Sequence, residues 1–537
     1  MASTTTHNKL ITFFFSLTLF FLSSHTHPTT LLHSSNSSTL FHTNNLRSFC
    51  KTTPYPETCL DSLKLSISIN ISPNIITYLL HSLQVAISEV TKLSTLFHTD
   101  VNIVEKQKGS IQDCKELHQS TLTSLKRSLS GVRNSRRLGD ARTYLSAALT
   151  NKNTCLEGLD SASGPMKQKL VNSVINTYKH VSNSLSMLSN NQGSDDKNNG
   201  KRSTNNDDDD EYDPSEVIVV AKDGTGNFSS VSDAVNFAPN NSYVRTVIYV
   251  REGVYEENVE IPSWKTNIVV VGDGSDVTVI SGSRSVGDGW TTFRSATLAV
   301  SGDGFLARDI AIENSAGPEK HQAVALRVNA DLTAFYRCSI YGYQDTLYVH
   351  SFRQFYRECD IYGTVDFIFG NAAVVLQECN IVSRKPLPGQ FTVVTAQSRD
   401  TPDEDTGISI QNCSIIAAND LYEANSNSST NTIKSYLGRP WRSYSRVVYL
   451  ESYIDEFIDP KGWSKWSNSD GNGDQGLDTL YYGEYENYGP GSRTNGRVNW
   501  GGYHVMDYND AYNFTVSEFI TGDAWLGSTS FPYDDGI

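Results

Sequence analysis

Across residues 45–190 apolar residues recur every three or four positions, whereas beyond residue 217 they run in short bursts broken by glycine, asparagine and aspartate. The first pattern predicts helices and the second predicts strands. In "SPNIITYLLHSLQVAISEV" the side chains of Ile76, Leu79, Leu80, Leu83, Ile87 and Val90 fall on one helical face. Ser72 is placed to cap that helix, with Pro73 at its first position. Similar stripes run through 144–159 and 170–188. Each stripe needs a partner face, so an antiparallel four-helix bundle is expected over residues 42–190. Apolar stripes are core by default, and nothing in this region points to chemistry.

The bursts "VIVVAKDGTG", "TVIYV", "NIVVVGDG", "TLAVSGDG" and "VVYLESYI" read as many short strands with little helix. A repeat runs among them. Cys338-Ser-Ile340, Cys359-Asp-Ile361, Cys379-Asn-Ile381 and Cys413-Ser-Ile415 recur at intervals of 21, 20 and 34 residues. "CSIYGYQD" and "CDIYGTVD" match further, as Cys-x-Ile-Tyr-Gly-x-x-Asp. A period near 20 in strand-rich sequence predicts a solenoid, best read as a parallel β-helix over residues 217–532 whose coils stack about 4.8 Å apart. That register brings Cys338 near Cys359 and stacks Asp345 on Asp366. Asp366 stands in the apolar run "GTVDFIFG", where a carboxylate loses solvation. Two close acids do not both ionise cheaply, so one fold can supply an acid and a base or nucleophile from such a pair. A structural aspartate ladder or an acidic calcium site remains open on the same residues.

The two patterned regions are separated by residues 191–216, "NQGSDDKNNGKRSTNNDDDDEYDPSE", which are polar and nearly free of aliphatics and read as a disordered acidic linker. Lys201-Arg202 within it is a candidate processing site. At the start, Lys9 precedes "LITFFFSLTLFFL" and the small residues Ser23 and Ser24, which predicts a secretory signal over residues 1–25. Asn36, Asn70, Asn227, Asn240, Asn412, Asn427 and Asn513 begin glycosylation sequons, as suits a secreted glycoprotein. Eight cysteines in a secreted chain suggest four disulfides. They form two sets: Cys50, Cys59, Cys114 and Cys155 as staples of the bundle, and the stacked pairs Cys338–Cys359 and Cys379–Cys413.

Charge divides the chain in the same way. Residues 1–200 hold 19 basic and 12 acidic side chains, residues 215–537 hold 23 and 41. The acidic part argues against nucleic acid as a partner. No Gly-x-Ser-x-Gly supports a serine nucleophile. "DGNGDQG" at 470–476 starts like a calcium loop but has Tyr481 where the bidentate glutamate belongs. "LGRPWRSYSR" places Arg439 and Trp441 where a sugar could stack and a carboxylate could be paired.

Five ordered blocks, "GVYEE" (253–257), "QAVALR" (322–327), "QDTLY" (344–348), "DFIFG" (366–370) and "LGRPW" (437–441), make the chain similar to plant pectin methylesterases. The helical part, with "CKTTPYPETC" at 50–59, resembles the inhibitor-like pro-region that many of these enzymes carry. The resemblance implies a right-handed β-helix that hydrolyses methyl esters of galacturonate. It assigns Asp366 as nucleophile and Asp345 as proton donor and then base. Gln344 and Gln322 become oxyanion donors, while Ser315, Gln322, Arg439 and Trp441 contact substrate. It implies no metal or cofactor, no membrane, a monomer in the cell wall, and inhibition by the pro-region or by separate inhibitor proteins. Two departures stand out. The usual Asn-Thr-Ala-Gly is Asn314-Ser315-Ala316-Gly317 here, and the basic processing site common before the catalytic part is replaced by "DDDDEYDP". A lyase, a glycosidase and a non-catalytic inhibitor are the competing readings. The intact acids and glutamines count against all three.

Overall fold

The computed structural model describes residues 46–67, 75–98, 103–134, 137–190, 217–426, 432–466 and 476–537. The expected signal, the linker with Lys201-Arg202, the Ser72–Pro73 cap, the sequons at Asn36, Asn70 and Asn427, and nearly all of "DGNGDQG" lie outside the described residues.

The helical pattern folds as read. Helix α1 spans Pro56–Ile67, α2 Ile75–His98, α3 Ser110–Arg133, α4 Leu138–Asp160 and α5 Lys167–Ser189. The last four are long enough to bury a full stripe each, and together they make the four-helix bundle. Leu79, Leu83 and Val90 of α2 are buried in its core. Cys50 is bonded to Cys59, and Cys114 to Cys155, so the second bridge ties the start of α3 to α4.

From Ile218 onward the strands form three wholly parallel sheets of eleven, seven and eight strands among the described residues. Each coil of this parallel β-helix contributes to the sheets in turn. Ile340 pairs with Ile361, Ile361 with Ile381 and Ile381 with Ile415, so the repeat in the sequence is the stacking register itself. Just before this ladder every coil turns a corner through one left-handed residue: Arg337, Glu358, Glu378 and Asn412 all have φ of 51–54°. A left-handed non-glycine residue costs roughly 1–2 kcal/mol. Here that cost is offset by burying the next side chain and the isoleucine beyond it.

The next side chain is the cysteine, and the two expected catalytic-domain disulfides do not form. Cys338, Cys359, Cys379 and Cys413 are free and buried. In-register side chains on parallel coils keep the coil spacing of about 4.8 Å, whereas a disulfide holds its Cβ atoms about 3.8 Å apart. Each thiol instead approaches the carbonyl oxygen two residues earlier, at 3.2–3.5 Å: those of Tyr336, Arg357, Gln377 and Gln411. The cysteines are a stack of small apolar fillers.

The bundle lies against the seven-stranded sheet. Ala299, Tyr348, Phe369 and Ala396 of that sheet share one buried cluster with the leucines of the helices. Ion pairs border this contact in both senses. Arg127, Arg142 and Lys152 of the helices face Asp303, Asp405 and Asp400, while Asp140, Asp113 and Glu157 face Arg353, Arg294 and Arg442. The overall charge difference between the two parts therefore describes only half of how they meet.

Candidate active site

Leu347 pairs with Ile368, and the same register sets Asp345 beside Asp366 on the next coil. The Asp345 N–H donates to the Val365 carbonyl at 3.1 Å. Both aspartates are left-handed, with φ of 62° and 52°, so both strand ends turn at this point. They are 8 % and 5 % exposed. Arg439 donates from Nε to Asp366 Oδ1 at 2.8 Å and from Nη2 to Oδ2 at 2.6 Å. Its own backbone N–H is held by the Thr395 carbonyl at 3.0 Å, and its guanidinium lies over the Trp466 ring at 4.3 Å. Gly438 lets this turn approach so closely: a Cβ there would meet Thr395 Oγ1 at 2.2 Å.

The two acids are set apart by these surroundings. Burial pushes Asp345 well above the usual carboxylate range, and the neighbouring Asp366 pushes it further. Burial also raises Asp366, but the hydrogen bonds and charge of Arg439 pull it back. Asp345 therefore holds a proton more tightly than Asp366 does.

Both open into a cavity of about 280 Å³ whose wall includes Gln322, Gln344, Arg439 and Trp441. Ser315 is not part of that wall; its hydroxyl donates to the Gly282 carbonyl at 3.1 Å. Four aromatic residues that the sequence did not single out, Phe293, Tyr348, Phe369 and Trp466, complete the apolar side. Tyr348 stacks on Phe369 at 4.2 Å, Phe369 meets Trp441 at 6.0 Å, and Trp441 stacks on Trp466 at 6.4 Å. Tyr348 and Phe369 lie inside the blocks "QDTLY" and "DFIFG", but strand aromatics read as packing unless the outward face is known. The helical part was also missed: Asp113, Thr154 and Glu157 close the cavity from α3 and α4.

Comparison with known proteins places this arrangement. The Pectinesterase family profile matches residues 217–523, and that of the plant invertase/pectin methylesterase inhibitor family matches residues 44–187. The chain belongs to the pectinesterase family. A probable pectinesterase/pectinesterase inhibitor of Arabidopsis thaliana is 64% identical over 92% of this chain and 94% of its own length. Pectinesterase 2 of Citrus sinensis is 44% identical over 92% of this chain and 95% of its own. Among solved structures, pectin methylesterase from carrot is 53% identical with a TM-score of 0.57, covering 60% of this chain and 98% of its own. This pectinesterase thus joins an inhibitor-like helical region to a pectin methylesterase β-helix in one chain.

A buried acid couples the two parts of the pectinesterase. Glu404 is 0 % exposed and accepts from Asn371 Nδ2 at 2.6 Å. The same amide donates to Thr150 of α4 at 2.9 Å, while Gln397 and Thr406 donate to Asn371 Oδ1. Burial pushes the Glu404 carboxyl from its ordinary 4.5 up to about 7. A carboxyl raised on folding binds a proton more tightly in the folded state, so its contribution favours folding at low pH. That contribution is lost as pH climbs from about 4.5 to about 7, by roughly 3 kcal/mol in all. The thermal midpoint of the full chain is expected to fall across that window. Glu404→Gln should flatten the fall, and a wild-type slope that the variant leaves unchanged would count against Glu404 as its source.

Proposed function

We propose that this pectinesterase hydrolyses galacturonate methyl esters through Asp366 and that its helical region holds it inactive. The observation that carries the proposal is the asymmetric acid pair: Arg439 clamps Asp366 alone, leaving the proton to Asp345. The Asp366 carboxylate attacks the C6 carbonyl carbon, and Gln322 and Gln344 donate their amide N–H groups to the oxyanion that forms. Asp345 gives its proton to the departing methoxy group, which leaves as methanol, and an acyl-enzyme remains on Asp366. Asp345, now a carboxylate, takes a proton from water as that water attacks the acyl carbon. The free galacturonate leaves and both aspartates return to their starting state. Trp441 and Arg439 hold the sugar and the nucleophile. Ser315, with its hydroxyl on Gly282, contacts substrate only at the rim. Neutral amides suit the oxyanion because they add no charge that titrates, and removing one such donor costs about 10²–10³-fold in kcat. Gln344→Ala is therefore expected to lose about 10²-fold in kcat with KM little changed; a loss confined to KM would remove Gln344 from that role.

Residues 217–537 have their own buried clusters. Carrot pectin methylesterase is matched over 98% of its length by 60% of this chain, the share that residues 217–537 make up. That supports a catalytic unit that folds by itself. With Asp113, Thr154 and Glu157 across the cavity, a pectin chain has no path to Asp366 until the helical region leaves. Free inhibitor proteins of the same helical class would fit the same face of the opened enzyme. The N-terminal apolar run and the sequons support secretion to the cell wall, with the catalytic part acting as a monomer. Methanol release from methylated pectin by residues 217–537 is the test. Turnover is expected, and folded protein that releases none overturns the reading.

A further inference from the structure

The turn that carries Arg439 is held from behind by Trp463, a residue outside the cavity wall. Leu437 donates its N–H to the Gly462 carbonyl at 2.7 Å, and Ser464 donates to the Gly438 carbonyl at 3.0 Å, so Gly438 and Trp463 pair as a parallel bridge. The Trp463 ring is buried against Gly438: a Cβ on that glycine would lie 3.0 Å from its Cζ3. Thr395 closes the other side, donating from Oγ1 to the Leu437 carbonyl at 2.9 Å. Three residues beyond Trp463, Trp466 covers the Arg439 guanidinium. One short segment therefore supports Arg439 at both ends, through the backbone before it and through its charged group.

Trp463 is itself locked. Its Nε1–H donates to Glu484 Oε1 at 3.2 Å, its ring stacks on Tyr482 at 4.1 Å, and Tyr449 meets it edge-on at 5.8 Å. Glu484 accepts from Arg497 Nε at 2.8 Å and from Nη2 at 3.0 Å, and both side chains are 1 % exposed. Arg497 also donates to the Pro460 and Gly491 carbonyls, and the Tyr503 hydroxyl donates to Glu484. Apolar side chains of the same volume would fill such a space at least as stably as a buried ion pair. What the pair adds is direction: an acceptor fixed at one edge of the indole sets the rotation of the ring.

We propose that Trp463, locked by Glu484 and Arg497, is a positioning residue for the nucleophile: it sets the 437–439 turn so that Arg439 meets both oxygens of Asp366. The inference rests on the esterase reading above and adds the origin of its geometry. When the ring turns, Gly438 shifts and Arg439 keeps only one of its two bonds to Asp366. The carboxylate then swings off the line of attack and loses part of the charge that favours its ionised form. Asp345, on the preceding coil, feels the same guanidinium by charge alone. Tyr482 also faces the pair, and burial keeps its hydroxyl neutral. Asp113 and Glu157 face the cavity only while the helical region is docked.

The test is the pH profile of methanol release by residues 217–537. The acid limb of kcat/KM follows ionisation of Asp366. Trp463→Phe removes the indole N–H and the ring atom against Gly438 but leaves Glu484 and Arg497 paired. It should lower kcat about tenfold or more with KM little changed, as a small misplacement of a reacting group does, and move the acid limb up by about one pH unit. Glu484→Gln keeps the shape and an acceptor for the indole while loosening the hold of Arg497, and should move both quantities the same way by less. Leu526→Ala lies in a separate buried cluster; it should lower the thermal midpoint and leave kcat and the acid limb unchanged. An acid limb that stays at the wild-type position in Trp463→Phe and Glu484→Gln overturns the inference, whatever their kcat. If Trp463→Phe does not fold, Glu484→Gln decides alone. Folded wild-type protein that releases no methanol would instead overturn the esterase reading.

Discussion

Replacing Asp366 by alanine in residues 217–537 is expected to lower methanol release from methylated pectin by about 10⁴-fold or more, the scale seen when a nucleophile is removed from a preorganised site. The covalent route would be closed, leaving only the oxyanion donors and substrate binding. Alanine also leaves the mostly buried Arg439 without its bidentate partner, and breaking a buried pair costs about 3–5 kcal/mol of stability. Asp366→Asn controls for this, because it keeps the shape and one acceptor for Arg439 while losing the attacking carboxylate. It should fold and be as inactive as the alanine variant. Activity of Asp366→Asn within tenfold of the wild type would move the nucleophile to a water activated by Asp345.

Separating the helical region from the β-helix is expected to raise the rate by about 10²-fold or more over the intact chain. The contact combines a shared apolar cluster with ion pairs of both senses. If docking is favourable by about 3 kcal/mol, fewer than about one molecule in 100 is open at any time. The intact chain should then show that small fraction of the activity of residues 217–537. High salt should raise its rate, because several pairs at the border are partly solvated. Equal rates for intact and separated forms would leave the helices without an inhibitory role.

How far each feature could be read in advance followed the range of its cause. The Cys-x-Ile repeat gave the coil register, because a solenoid writes its stacking into the sequence at a fixed interval, and with it the meeting of Asp345 and Asp366. The same repeat misled on the cysteines. It brings them into line without saying that parallel neighbours stay too far apart at Cβ to bond. The helix stripes gave the bundle, yet Asp113 and Glu157 were invisible as parts of the cavity. Which face of α3 and α4 meets the β-helix is decided by shape across the fold, and no periodicity records it. Glu404 escaped notice for a similar reason: its burial depends on Asn371 and on Thr150 of α4, far away in sequence. Ser315 was placed by its block alone, and its hydroxyl is spent on the Gly282 backbone.

Bonded and free sulfur are divided between the two parts of the chain. Both disulfides belong to the helical part, and Cys114 and Cys155 stand one residue from Asp113 and Thr154, which close the cavity. The β-helix holds only thiols, packed out of reach of solvent. The Cys114–Cys155 bridge is as deeply buried as those thiols, so a reductant is expected to reach it only once α3 and α4 open, and the β-helix beneath has no bridge to lose.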